Sequence, residues 1–273
     1  MLERLPTYFL SHGGGPWPFM KEQYGSTYDV LEASLADIPR QLGVVPKAVL
    51  VVSGHWEERQ FTLSSGLEPG MIYDYGGFPS HTYQVKYKAP GSPEVAGRAA
   101  ELLAAAGHHA DLDPTRGFDH GTFSMLYPVY PDADVPVVQL SLKHGFDPLT
   151  HIDAGRALAP LRDEGVLIIG SGLSYHNLHQ FGPAGRQASH AFDEWLRFAL
   201  LDLTPGERTA ALLHWGDAPY ARMAHPREEH LMPLLVAYGA AEHEPAARVY
   251  HEDEFFGHLA VSSYRFGEVP AAA

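Results

Sequence analysis

KAVLVVS, residues 47–53, runs straight into Gly54-His55-Trp56-Glu57. The run is almost wholly apolar and of strand length. It lacks the alternation of a strand with one wet face, so it reads as a strand buried on both sides that feeds a loop. The pattern recurs. PTYFLS at 6–11 stops at His12-Gly13-Gly14-Gly15-Pro16. PVVQLSL at 136–142 and GVLIIG at 165–170 repeat it, the latter followed by Ser171-Gly172-Leu173-Ser174-Tyr175-His176-Asn177. Residues 28–42, 94–106, 153–162, 185–199, 208–214 and 228–237 read as helices between or after these strands, and 247–251 and 259–266 as late strands. Alternating elements of this kind predict an α/β fold: a single domain over 1–273, with a central mostly parallel or mixed sheet flanked by helices.

Composition narrows the functional classes. The 273 residues include 33 Asp plus Glu against 19 Lys plus Arg, a net charge of −14. That balance argues against a nucleic-acid partner, which requires concentrated positive charge. No apolar run approaches the roughly 20 residues of a membrane span, and no signal-peptide pattern opens the chain, so a cytoplasmic location is expected. The chain has no Cys and 17 His. Disulfides, zinc–thiolate sites and cysteine nucleophiles are thereby excluded, and any metal must be held by His, Asp or Glu. A Walker A sequence and an EF-hand loop are missing, and Ser171-Gly172-Leu173-Ser174 is a weak match to a nucleophile elbow.

Position separates the histidines. His12 and His55 fall just beyond the ends of predicted strands, and His176 follows the strand at 165–170 after a short turn. Loops beyond the carboxyl ends of strands form the usual ligand crevice of an open α/β sheet. His120 sits in Phe118-Asp119-His120-Gly121-Thr122 as a hydrogen-bond donor or a loop staple. His225 and His230 are five apart, about 500° of rotation on a helix, so they diverge. Pro226 suits a first helical turn, which places His230 one turn into a helix over 228–237. Spacing alone leaves His230 open as a ligand. Glu228 and Glu229 read as ordinary acidic residues at a helix start.

Taken in order, these motifs resemble a known family. They are Ser11-His12-Gly13, Ser53-Gly54-His55-Trp56-Glu57, Asp119-His120-Gly121-Thr122, Gly170-Ser171-Gly172 with His176-Asn177-Leu178, and His225-Pro226-x-x-Glu229-His230-x-x-Pro233-Leu234. The set, spread from about residue 5 to 266, resembles the class III extradiol ring-cleavage dioxygenases of the 4,5-DOPA dioxygenase-like branch. That resemblance implies His12, His55 and His230 as metal ligands, His176 as acid–base catalyst, and His120 as a group touching substrate or oxygen. It further implies Fe(2+) for catalysis, with Zn(2+) as the metal of some purified members. The partners it implies are a catecholic small molecule and O2, acting on a monomer or small homo-oligomer. The chain departs from the branch at Gly13-Gly14-Gly15, Gly54 and Phe123, around the expected mouth of the site.

The chemistry suits these residues. Neutral imidazoles bind borderline metals and leave open positions for two catechol oxygens and O2. His176 could take a phenolic proton and return it as the ring opens. Two alternatives use the same residues: a zinc hydrolase with Glu57 or Glu229 as base, and a non-catalytic metal- or small-molecule-binding relative. Lys86, Lys88, Lys143 and Arg186 are candidates for meeting an acidic ring substituent.

Overall fold

A computed structural model describes residues 4–270; the first and last three residues of the expected 1–273 domain lie outside the described residues. The strands are β1 (Thr7–Ser11), β2 (Ala48–Glu58), β3 (Phe61–Ser64), β4 (Ala110–Asp113), β5 (Val137–Lys143), β6 (Val166–Gly172), β7 (Ala246–Phe255) and β8 (Leu259–Phe266). They form one mixed sheet in the order β4-β3-β5-β2-β6-β1-β8-β7. The centre is parallel: β2 pairs with β5 and β6, and β6 with β1. β8 joins β1 antiparallel, and β7 closes that edge against β8.

The apolar runs occupy the centre for a physical reason. β1 and β6 are buried along their whole length, as is β2 as far as Ser53. With helices packed on the sheet, no face is left for alternation to report. Ser11 is level with Gly172, and Ser53 with Ser171, so β1, β6 and the buried part of β2 end along one line. The segments beyond that line therefore meet.

Four expectations are corrected. β2 does not stop at Ser53 but continues to Glu58, so His55 lies within the strand. Its register against β5 shifts between Val52 and Glu57, which interrupts the ladder around His55. The helix expected over 28–42 is divided into Asp29–Ala36 and Ile38–Leu42, because Pro39 has no N–H to continue the ladder. The helix expected over 228–237 is Met232–Gly239, with Pro233 in its first turn. A helix begun at residue 228 would need the N–H that Pro233 lacks, so His230 sits in the turn before the helix rather than one turn into it. β3 and β4 were not anticipated: each has four residues, and β4 is half-buried to exposed, too short and too polar to carry a period.

The turn holding His230 lies directly on β6. Leu173 N–H donates to the His230 carbonyl at 3.2 Å. A Cβ on Gly172 would stand 2.1 Å from that carbonyl oxygen, so only glycine permits the approach. Gly172→Ala is therefore expected to destabilise the fold by about 3 kcal/mol, in the range of an overpacked core. Urea unfolding measures it, and a change below about 1 kcal/mol would show that the turn is free to lift.

Among the described residues, no helix is long and apolar enough to cross a membrane.

Candidate metal centre and active site

Each candidate histidine is fixed by the element that carries it. His12 is the first residue after β1, and its N–H donates to the Gly172 carbonyl at 3.1 Å. His55 occupies the interrupted part of β2. His176 lies four residues beyond β6, tied by its N–H to the Ala224 carbonyl at 3.0 Å. His120 opens the helix His120–Val129, whose N-cap, Asp119, accepts from the Thr122 N–H at 3.0 Å. Asp119 is itself held by Ser53 Oγ at 2.9 Å and Arg116 at 2.8 Å, which ties the helix to β2. All five histidines line one cavity of about 610 Å³.

Three imidazoles converge. His55 Nε2 lies 3.3 Å from His12 Nε2 and 3.1 Å from His230 Nε2. Two of these rings turn their other nitrogen to a carboxylate. His55 Nδ1 is 3.3 Å from Asp74 Oδ2, and His230 Nδ1 is 3.0 Å from Glu229 Oε1. A carboxylate at Nδ1 holds the proton there and leaves the Nε2 lone pair facing inward. Two such lone pairs about 3 Å apart repel unless a cation lies between them. Nitrogens bound to a shared ion at about 2.0–2.1 Å stand about this far apart. Burial, then repulsion from neighbouring imidazoles, pushes the pKa of His12 and His230 well below the ordinary histidine value. For His55 the causes are burial and His120, with Asp74 opposing. All three are neutral bases, as metal ligands must be. The donor set thus fits a metal.

The other two histidines flank this trio. His176 stacks on His230 with ring centroids 3.4 Å apart and 15° between planes, its Nδ1 3.3 Å from Glu229 Oε1. His120 lies against His55 at 3.9 Å between centroids, its Nδ1 2.9 Å from Asp74 Oδ1. The ligating atoms of His12, His55 and His120 fall within 4.8 Å of one another, as do those of His176, Glu229 and His230. The two groups adjoin through His55 and His230. Each flanking histidine thus shares a carboxylate with one of the trio.

Those two carboxylates were missed or misread. Asp74 lies in an irregular segment with no periodic signal, and nothing in its neighbours marks it. Burial acts to raise its pKa, but His120 and His55 outweigh that and hold it at about 2. Glu229, read as a helix-start residue, stands before the helix between His176 and His230. Burial there is outweighed chiefly by His176, so its pKa is lowered. Asp74→Asn keeps the acceptor for the His120 backbone N–H, at 2.9 Å, and loses the charge. It is expected to weaken metal affinity by about 10–100-fold, read by competition with a chelator. Unchanged affinity would make Asp74 a loop anchor only.

The remaining side chains sort simply. His225 is buried with Nε2 2.9 Å from the Ser174 carbonyl, and burial drives its pKa down to about 3, so it staples the chain after β6. His144 and His179 do not line the cavity, nor do Lys86, Lys88, Lys143 or Arg186. The Lys or Arg that does, among the described residues, is Arg227. It is paired with both oxygens of Glu57, at 2.6 and 2.5 Å, and lies over the Phe146 ring.

The chain is similar to known proteins over nearly all of its length. Residues 6–267 match the family model described as the catalytic LigB subunit of aromatic ring-opening dioxygenase. A 4,5-DOPA dioxygenase extradiol of Beta vulgaris is 43% identical over 225 residues, covering 81% of this chain and 83% of the relative. One from Portulaca grandiflora is 39% identical over 96% of both chains, and one from Escherichia coli K12 is 34% identical over 97% and 95%. A crystal structure of an uncharacterized Escherichia coli K12 protein superposes with a TM-score of 0.75 at 31% identity, covering 97% of this chain and all of that one.

Proposed function

The chain belongs to the LigB, or class III extradiol, family of ring-cleaving dioxygenases, close to the 4,5-DOPA dioxygenase branch, and from that premise we propose that it opens a catechol ring with O2 using iron(II). We assign His12, His55 and His230 as the metal ligands. The observation that carries this is the meeting of three Nε2 atoms whose partner nitrogens, in two of the three rings, face carboxylates. When bound there, iron(II) supplies a redox-active centre able to pass electron density from a catecholate to O2, which zinc lacks.

The protein's own groups do the rest. His176 stands beside the trio in the open cavity and takes a proton from a catechol hydroxyl. Glu229 holds His176 Nδ1, so the His176 Nε2 is the atom that receives that proton and returns it to an oxygen retained in the ring-opened product. His120, oriented by Asp74 at its Nδ1 and by the start of its helix, offers its Nε2 lone pair to accept a hydrogen bond from a catechol hydroxyl. The expected product is a muconic-semialdehyde-type compound from cleavage beside the diol.

The test is oxygen uptake. Protein loaded anaerobically with iron(II) should consume one O2 per catechol and form a yellow ring-opened product. Silence across a broad catechol panel would end the proposal. Ester or amide turnover by zinc-loaded protein without O2 would support a hydrolase instead. Binding of catechols without either activity would support a non-catalytic relative.

A further inference from the structure

The cavity is larger than one aromatic ring requires; volumes of about 300–1,000 Å³ hold drug-sized ligands. Its two ends differ. The charged residues that line it are each paired: Asp74 with His55 and His120, Glu229 with His176 and His230, Arg227 with Glu57. Among the described residues the Lys or Arg lining the cavity is Arg227, and a substituent carboxylate would have to compete with Glu57 for it. The mouth is apolar and aromatic, lined by Tyr24, Tyr28, Phe78, Leu178, Phe181 and Phe256, and Leu178 is 69% exposed.

Gly13, Gly14 and Gly15 follow His12 in the lining of the cavity. A Cβ on Gly14 would stand 2.9 Å from Tyr28 Oη, and one on Gly15, where φ is +54°, 2.6 Å from the Phe78 ring. The bare backbone lets both rings close on the cavity next to His12.

Phe256 is the odd residue of this wall. It occupies the turn between β7 and β8 with φ +51°, followed by Gly257 at +77°. The left-handed region is unfavourable for a bulky L-residue, and Asn or Gly is the usual occupant of such a hairpin position. Among the described residues, three other non-glycine residues have positive φ, Ala133, Phe146 and Tyr220, and none of them lines the cavity. The Phe256 ring packs edge-on against Phe181, Tyr28 and Tyr24, at 5.4, 5.6 and 6.2 Å between centroids. The strained turn places a ring at the mouth that a relaxed turn residue would not supply.

We propose that this aromatic mouth is a subsite for an apolar, preferably aryl, substituent on the substrate ring, and that Phe256 is its specificity-determining wall. The proposal rests on the ring-cleavage reading and names the substrate class within it: aryl- or alkyl-extended catechols in preference to catechol carboxylates.

The experiment compares iron(II)-loaded wild type with Phe256→Asn, which suits the left-handed turn and so should keep or raise Tm. The substrates are catechol, 3- and 4-phenylcatechol, and 3,4-dihydroxybenzoate. In the wild type, the better phenylcatechol should have a KM about tenfold below that of catechol, as burial of an aromatic group implies. The dihydroxybenzoate should be the poorest substrate. In Phe256→Asn the phenylcatechol KM should rise about tenfold, with kcat and the catechol KM within about twofold of wild type. A phenylcatechol KM unmoved by the substitution, or one that rises in step with that of catechol, overturns the proposal. If neither protein consumes O2 with any of the four, the ring-cleavage reading fails. Anaerobic calorimetric titration with phenylcatechol then decides the subsite separately: weaker binding to Phe256→Asn supports it, and equal binding overturns it.

Discussion

His55→Ala is expected to leave a folded protein that no longer retains iron and turns over catechol about 10³-fold more slowly or worse. His55 Nε2 is the atom that both His12 and His230 approach, at 3.3 and 3.1 Å, so its removal breaks both edges of the trio at once. Metal catalysis supplies several kcal/mol to the chemical step, and each 1.36 kcal/mol is tenfold in rate. The fold should survive, because the continuous buried run of β2, from Ala48 to Val52, precedes the change and Trp56 beyond it is retained. Metal content after gel filtration, with oxygen uptake at saturating iron(II), measures the effect. A variant that keeps one tightly held iron per chain would exclude His55 from the ligand set. His225→Ala is the matched control: it lies in the same motif but faces the Ser174 carbonyl, so it should lower Tm and spare iron content.

How far the sequence carried this site depended on which interactions leave a local mark. The central strands were legible because burial on both faces produces an unbroken apolar run. Their carboxyl ends located His12 and the approach to His55 and His176. The order of motifs along the chain, rather than any period, supplied His120 and His230. What escaped was set by contacts distant in sequence. Asp74 meets His120, 46 residues later, through a segment with neither helix nor strand to announce it. Glu229 looked like an N-terminal helix residue until Pro233 set the helix start after His230. The four-residue strands β3 and β4 are held by pairing with each other, and β3 by Leu63 against Leu140; β3 is too short to carry a period and the composition of β4 favours no strand. The β2 irregularity is likewise a property of the ladder with β5. A sequence read one strand at a time does not contain it.

His176→Ala should separate chemistry from metal binding. His176 is in contact with the trio, stacked on His230 at 3.4 Å between centroids, yet its Nε2 is not among those that meet at His55. Its Nδ1 lies 3.3 Å from a carboxylate oxygen that it shares with His230, so losing it leaves His230 with Glu229 as a partner. Iron content should therefore stay near one per chain, while kcat falls by about 10²–10⁴-fold, the range for a positioned general acid–base group. His176→Gln, which fills more of the space and cannot exchange protons near neutral pH, should lose activity to a similar degree. Substantial recovery of turnover in His176→Gln would mean that the ring only props His230. Loss of iron parallel to loss of rate would instead make His176 a ligand, and the metal would then sit in the group formed with Glu229 and His230. Exogenous imidazole distinguishes the remaining case. Rescue of His176→Ala, with a rate that rises with the free-base concentration, identifies the missing function as proton transfer, since a small base in the vacated space can take the phenolic proton but cannot restore packing against His230.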